Sequence, residues 1–205
     1  MMFSQSQKIV LLKHQNLAFF KELKNVKFQI FTIFALLLLL YMLWPAPSYV
    51  EDFSPLPKSL KSKEPGDTVQ VPNIAAYFSE NFRNSVIPYY KNEYQNLSRL
   101  PFPPLKLNHP PEFAYTAIRD QTPSTYLEEL VYPLRDSLFI NGFEPFYEDG
   151  RPKYKGATDI VVDDIFFKSK TIIRFYPSPA WAKFITWFGI TLSLILLWKL
   201  SKKII

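Results

Sequence analysis

Apolar and polar positions divide this chain into two long apolar runs with a patterned, proline-rich middle. Phe28–Trp44 reads FQIFTIFALLLLLYMLW, without a charge and with only Gln29 and Thr32 polar. At about 1.5 Å per residue the run covers about 26 Å, close to the thickness of a bilayer's hydrocarbon core. A second run, residues 180–198, repeats the signal near the other end. Its single charge, Lys183, stands where a long side chain can reach back to lipid headgroups. Tyr41 and Trp44 close the first run and Trp181 and Trp198 bracket the second, as amphipathic rings do at a membrane boundary. Gly189 and Ser193 lie four apart and share a helix face on which another helix can approach closely.

Between the runs, residues 45–72 hold six prolines among Ser, Lys, Glu and Asp. This composition predicts an extended stalk. Folding is expected over 73–177. Asn73 is placed to cap a helix with Ile74, Tyr77, Phe78, Phe82 and Val86 on its apolar face. Pro88 interrupts that spacing, and Tyr90, Tyr94 and Leu97 resume it to about Arg99, so two short helices or one kinked helix are predicted. The prolines of 101–111 predict a segment wrapping the surface. Glu112–Arg119 reads as a strand.

Thr122-Pro123 opens a predicted helix with Tyr126, Leu127, Leu130, Val131, Leu134 and Leu138 as its buried stripe. Pro133 should bend it, and Asn141-Gly142 should stop it. Residues 143–158 are turn-rich. Asp159–Val162 and Ile165–Tyr176 read as a β-hairpin across Asp163-Asp164. In the second arm Lys168, Lys170 and Arg174 should face solvent, and a break at Lys168–Lys170 is the competing parse. The expectation is an α+β fold, two to three helices packed on a short antiparallel sheet, in a small extracytoplasmic domain between two transmembrane helices.

Charge fixes the expected orientation. The net +6 is not spread evenly. Residues 1–27 carry Lys8, Lys13, Lys21, Lys24 and Lys27 against Glu22, and residues 199–205 add Lys199, Lys202 and Lys203. The remainder is close to neutral. Positive charge flanking both runs predicts two cytoplasmic termini, a hairpin topology and an outer central domain. Residues 1–27 can also form a basic amphipathic helix on the inner leaflet. A nucleic-acid partner would want the excess charge on the folded domain, so none is expected. The chain has no cysteine. That favours a bacterial envelope over a disulfide-forming secretory pathway. The first run exceeds the apolar region of a cleaved signal peptide, so it is read as an anchor.

Candidate chemistry is sparse. Cysteine nucleophiles are excluded, the five glycines are too dispersed for a phosphate loop, and of the two histidines only His109 lies in the central domain. Its proline-flanked position reads as a surface histidine. The adjacent carboxylates Glu128-Glu129, Glu148-Asp149 and Asp163-Asp164 point apart on any regular element, so adjacency makes no acid/base pair. No cofactor, metal or catalytic residue is expected.

The aromatic excess is the stronger lead, at 17% of the chain. Tyr89, Tyr90, Tyr94, Phe102, Phe146 and Tyr147, with the polar cluster Arg119-Asp120, form the candidate partner or ligand surface. The leading functional expectation is a non-enzymatic accessory or scaffolding subunit of an envelope membrane complex. Its partners would be the lipid bilayer and a larger membrane protein or a second copy. Binding of an envelope glycan or peptide on exposed aromatics is the alternative. A hydrolase relying on Asp120, Glu128 or Glu129 is a third.

Overall fold

The computed structural model describes residues 26–64, 67, 71–119 and 123–204. Trp44–Lys183 forms one compact unit, and the apolar helices, the second from Phe184 onward, form another. Expectations for residues 1–25 and for Asp120 fall outside the described residues.

The first unit is α+β. Its strands are β1 (Ser59–Lys61), β2 (Ile74–Ser79), β3 (Leu105–His109), β4 (Tyr126–Val131), β5 (Ser137–Phe143), β6 (Ile160–Val162), β7 (Ile165–Phe167) and β8 (Ser169–Tyr176). Six of them build one antiparallel sheet in the order β1-β2-β8-β5-β4-β3, and β6 pairs with β7 alone. The sheet is larger than the sequence predicts. Its helices among the fully described segments are α2 (Arg83–Ser98) and the single turn α3 (Ala114–Ala117); α1 (Val26–Leu43) and α4 (Ala180–Ile204) are the apolar pair.

The sheet carries apolar side chains on both faces. On one, Ile74, Ala76, Leu127 and Ile172 form a cluster with Ala114 and Ile118 from α3 and its C-terminal end. On the other, Phe175 meets Phe53 at 5.3 Å and Tyr94 of α2 at 6.0 Å between ring centroids. Tyr94 in turn packs edge-on against Tyr132 at 5.0 Å. Double-sided burial removes the alternation that announces a strand. All six residues of β2 are buried, and so are seven of the eight in β8.

This explains three departures from the sequence reading. The helix expected from Asn73 is β2, and Asn73 itself takes φ 57° in the turn ahead of it. The helix expected after Thr122 is the hairpin β4–β5, paired from Tyr126↔Gly142 to Val131↔Ser137. Pro133 bends no helix. It sits in a tight turn with Leu134 at φ 63°, closed by Arg135 N donating to Tyr132 O at 3.0 Å. Lys170 and Arg174 do not face solvent. Lys170 Nζ lies 2.9 Å from Asp67, and Arg174 Nη1 donates to Ala117 O at 3.2 Å.

Glu112–Arg119, expected as a strand, is instead a 3-10 turn at Pro111–Phe113 leading into α3. The wrapping proline segment contains edge strand β3, whose outer side needs no partner. Pro88 does not interrupt α2, which runs through it and ends at Arg99 in the left-handed region, φ 50°. The stalk expectation fails for residues 50–61: Val50, Phe53 and Leu56 are buried, and Ser59–Lys61 pairs with β2. Scattered apolar residues between prolines therefore reach the core one at a time, with no run to mark them. Asp163 and Asp164 both take positive φ in the two-residue β6–β7 turn, as a tight hairpin of this hand requires.

The residues after Pro133 tie the unit's two ends together. Arg135 Nη2 donates to Trp44 O at 3.1 Å and to Pro45 O at 3.0 Å. Asp136 Oδ1 accepts from Ser178 N at 2.9 Å and lies 3.0 Å from Lys183 Nζ. Lys183 is thus buried against a carboxylate, where the sequence suggested it reaches headgroups. A buried charge held this way needs such a partner, because desolvation costs several kcal/mol, about that order per ion.

In the second unit, α1 and α4 touch directly. Trp187 Nε1 donates to Ala35 O at 2.7 Å, and Thr191, one turn on, is buried.

Candidate functional site

The N-terminus of α2 and the loop after β5 enclose a polar groove of about 440 Å³, lined by Arg83, Glu144, Tyr147, Glu148, Arg151 and Lys153 among others. Phe82 precedes the helix and has no side-chain acceptor to cap it. Glu144 supplies one from the loop, its Oε1 accepting from Arg83 N at 2.6 Å. A carboxylate there satisfies an orphan donor and complements the helix dipole. Glu144 is itself aimed by its backbone N–H, which donates to Thr125 Oγ1 at 3.1 Å, and its second oxygen takes the Lys153 ammonium.

The loop closes on itself. Tyr147 N donates to Arg151 O at 2.8 Å, and Gly150, φ 82°, makes the turn between them. Asp149 accepts from Arg151 N at 3.0 Å and Arg151 Nε at 2.7 Å, and these bonds hold its carboxyl below the usual range. Arg151 and Lys153 also lie over the Tyr147 ring, 5.5 and 5.4 Å from its centroid. Asn84 bridges to Glu148 at 3.0 Å. Two of the groove's charge pairs, Asp149–Arg151 and Glu144–Lys153, are therefore closed within it, and Arg83 pairs with a carboxylate outside the lining.

Behind the groove lies Glu128 on β4, its side chain wholly buried. Arg83 grips one carboxylate oxygen, Nε at 2.8 Å with Nη2 also bonded, while Lys106 Nζ stands 3.7 Å from the other. Arg83 also reaches Asn108 Oδ1 at 3.3 Å and lies over Tyr126 at 5.5 Å. Glu129 faces the other way, as strand geometry demands. It accepts from Ser137 Oγ at 2.6 Å and meets His109 Nε2 at 2.9 Å. His109, read from its sequence position as a surface histidine, is half-buried and paired with Glu129. In this chain the carboxylate stands between serine and histidine, so His109 is not placed to take the Ser137 proton.

The predicted surface residues do not converge. Tyr90 and Tyr94 are core, not surface: both are fully buried, and Tyr94 Oη donates to Asp136 O at 2.8 Å. Tyr89 is half-buried and donates to Pro55 O at 2.9 Å. Phe102 packs on Tyr132 at 6.0 Å. Phe146 lies beneath Lys168 Nζ at 5.5 Å, next to Tyr147, which alone of the six lines the groove. Arg119 is exposed at φ 63°, and its neighbour Asp120 lies outside the described residues. Sequence reasoning missed Arg83, Glu144 and Lys153. Only reading 126–131 as a strand would have put Glu128 inside and raised the question of its counter-ion.

On α4, Gly189 and Ser193 are exposed, and a Cβ at Gly189 would meet no heavy atom within 4 Å. The contact with α1 uses Trp187 instead. Among the described residues no group of three His, Cys, Asp or Glu side chains is placed to hold a metal ion. Compared with known protein families, with curated proteins and with solved structures, the chain matches none. The fold and surface thus define an α+β domain joined to two helices long and apolar enough to cross a membrane.

Proposed function

We propose that this chain is a two-span membrane protein whose α+β domain is a non-enzymatic accessory or scaffolding part of an envelope membrane complex. Both termini lie on the cytoplasmic side in this reading, and the domain lies outside. One observation carries it: the apolar helices pair through Trp187 and Ala35 and leave most of their large apolar side chains bare. Ile33, Phe34, Leu37, Ile185 and Leu197 are each more than half exposed. A soluble core helix would cover such side chains; a lipid-facing helix has no need to. The free Gly189/Ser193 face adds a place where a partner's helix can approach. The Asp149–Arg151 and Glu144–Lys153 pairs in the groove, and the order Ser137–Glu129–His109, support a structural role for these polar groups.

The test is the mass of the tagged full-length protein in mild detergent, with a Gly189→Leu/Ser193→Leu variant alongside. The proposal expects a stoichiometric membrane-protein partner with the native chain and its loss in the variant. A lone chain in both preparations overturns it.

A further inference from the structure

At the end of the helix pair that holds the C-terminus of α4, the two helices enclose a cleft of about 720 Å³. This lies within the range of about 300–1,000 Å³ typical of small-molecule sites. Its lining is graded. Phe31, Leu194 and Ile195 form the apolar part, Phe28 and Trp198 follow, and Lys27, Lys199 and Lys202 make the rim. The grading follows from spacing. Lys27 and Phe31, Ile195 and Lys199, and Leu194, Trp198 and Lys202 are each four apart, so each series shares one helix face. Lys202 Nζ sits 4.0 Å from the Trp198 ring centroid, which fixes an ammonium at the boundary between the apolar and charged parts. Among the described residues no acidic side chain is in the lining.

We infer that this cleft is a binding site for an anionic phospholipid, the phosphodiester on the three lysines and an acyl chain along Phe31, Leu194 and Ile195. The order of polarity along the cleft matches the order phosphate, glycerol, hydrocarbon in such a molecule. Charge argues against the other occupant close at hand. Residues 1–25 carry Lys8, Lys13, Lys21 and Lys24 against Glu22, so they would bring like charge to the rim. Each lysine near an anionic headgroup raises affinity about fivefold, so three select strongly for anionic over zwitterionic lipid.

The inference rests on the membrane reading above, which alkaline carbonate extraction of the full-length chain tests separately. The site itself is tested by quenching of Trp198 fluorescence, taken as the difference between the native chain and Trp198→Phe. Phosphatidylcholine vesicles are doped with either brominated-acyl phosphatidylglycerol or brominated-acyl phosphatidylcholine at equal mole fraction. The expected result is markedly stronger quenching by the phosphatidylglycerol, with the preference falling roughly tenfold or more in Lys199→Gln/Lys202→Gln. Ile195→Phe, which fills the cleft and keeps every lysine, should also reduce quenching. Equal quenching by the two lipids overturns the proposal. So does a preference untouched by Ile195→Phe, which would leave only diffuse attraction to the lysines. Selectivity that emerges only after residues 1–25 are deleted would assign the cleft to that segment.

Discussion

Gly142 shows how one position can be set by a neighbour across the sheet. It faces Tyr126 in the β4–β5 pairing, and a Cβ there would lie 2.1 Å from two atoms of the tyrosine ring. Tyr126 is buried and has Arg83 on its ring, so it has little room to withdraw. The absence of a side chain is what the site requires, more than any freedom of φ. Gly142→Ala should therefore destabilise the domain by about 2–3 kcal/mol through overpacking. The midpoint of urea unfolding of the full-length protein in mild detergent measures it, and an unchanged midpoint would contradict the packing argument. Arg83 and Glu128 set one another at the same scale. They lie 45 residues apart in sequence, so no local pattern announces the pair.

Among elements, α2 carries an avoidable defect. Pro88 sits in its second turn, exposed, where it removes the hydrogen bond that residue 88 would give to Asn84 O. Pro88→Ala restores that donor at a position already helical. It should stabilise the protein by about 1–2 kcal/mol, after the larger entropy of the unfolded alanine chain is set against the gain. Circular dichroism melting should show the transition moving up; a fall would mean that the ring packs against something essential.

The second half of α2 was legible because Tyr90, Tyr94 and Leu97 keep a period near 3.6 with solvent on the other side. The apolar helices were legible from length alone. The β6–β7 hairpin was legible from Asp163-Asp164. β2 and β4 were not, because burial on both faces removes the alternation that marks a strand and leaves apolar positions at spacings that also fit a helix stripe. Of the groove's lining, the aromatic surface read from the sequence contains only Tyr147, next to Phe146. Their setting was hidden, because Glu144 and Arg83 meet only through a fold that reading did not contain.

For the whole molecule, the aromatic core sets the response to alkali. Burial raises the pKa values of Tyr77, Tyr90 and Tyr126, and the neighbouring Tyr89, Tyr77 and Glu144 respectively add to the rise. The unfolded chain ionises these phenols near the usual value of about 10. Above that pH the folded state holds more protons than the unfolded one, so stability falls as pH climbs towards the raised values. Below about pH 10 the contribution is intact. Absorbance titration should therefore show part of the tyrosine signal appearing only together with loss of secondary structure. Smooth ionisation of every tyrosine ahead of unfolding would contradict the burial.

The contacts of Arg135 and Asp136 make the domain a loop closed by a latch with a shared tongue. The segment leading in is held by Arg135 and the segment leading out by Asp136, two neighbours on one tight turn. Neither end can be let go without touching the residue beside the other's holder. A disturbance on one side of the turn is thereby a disturbance of both, and the incoming and outgoing segments share one fate.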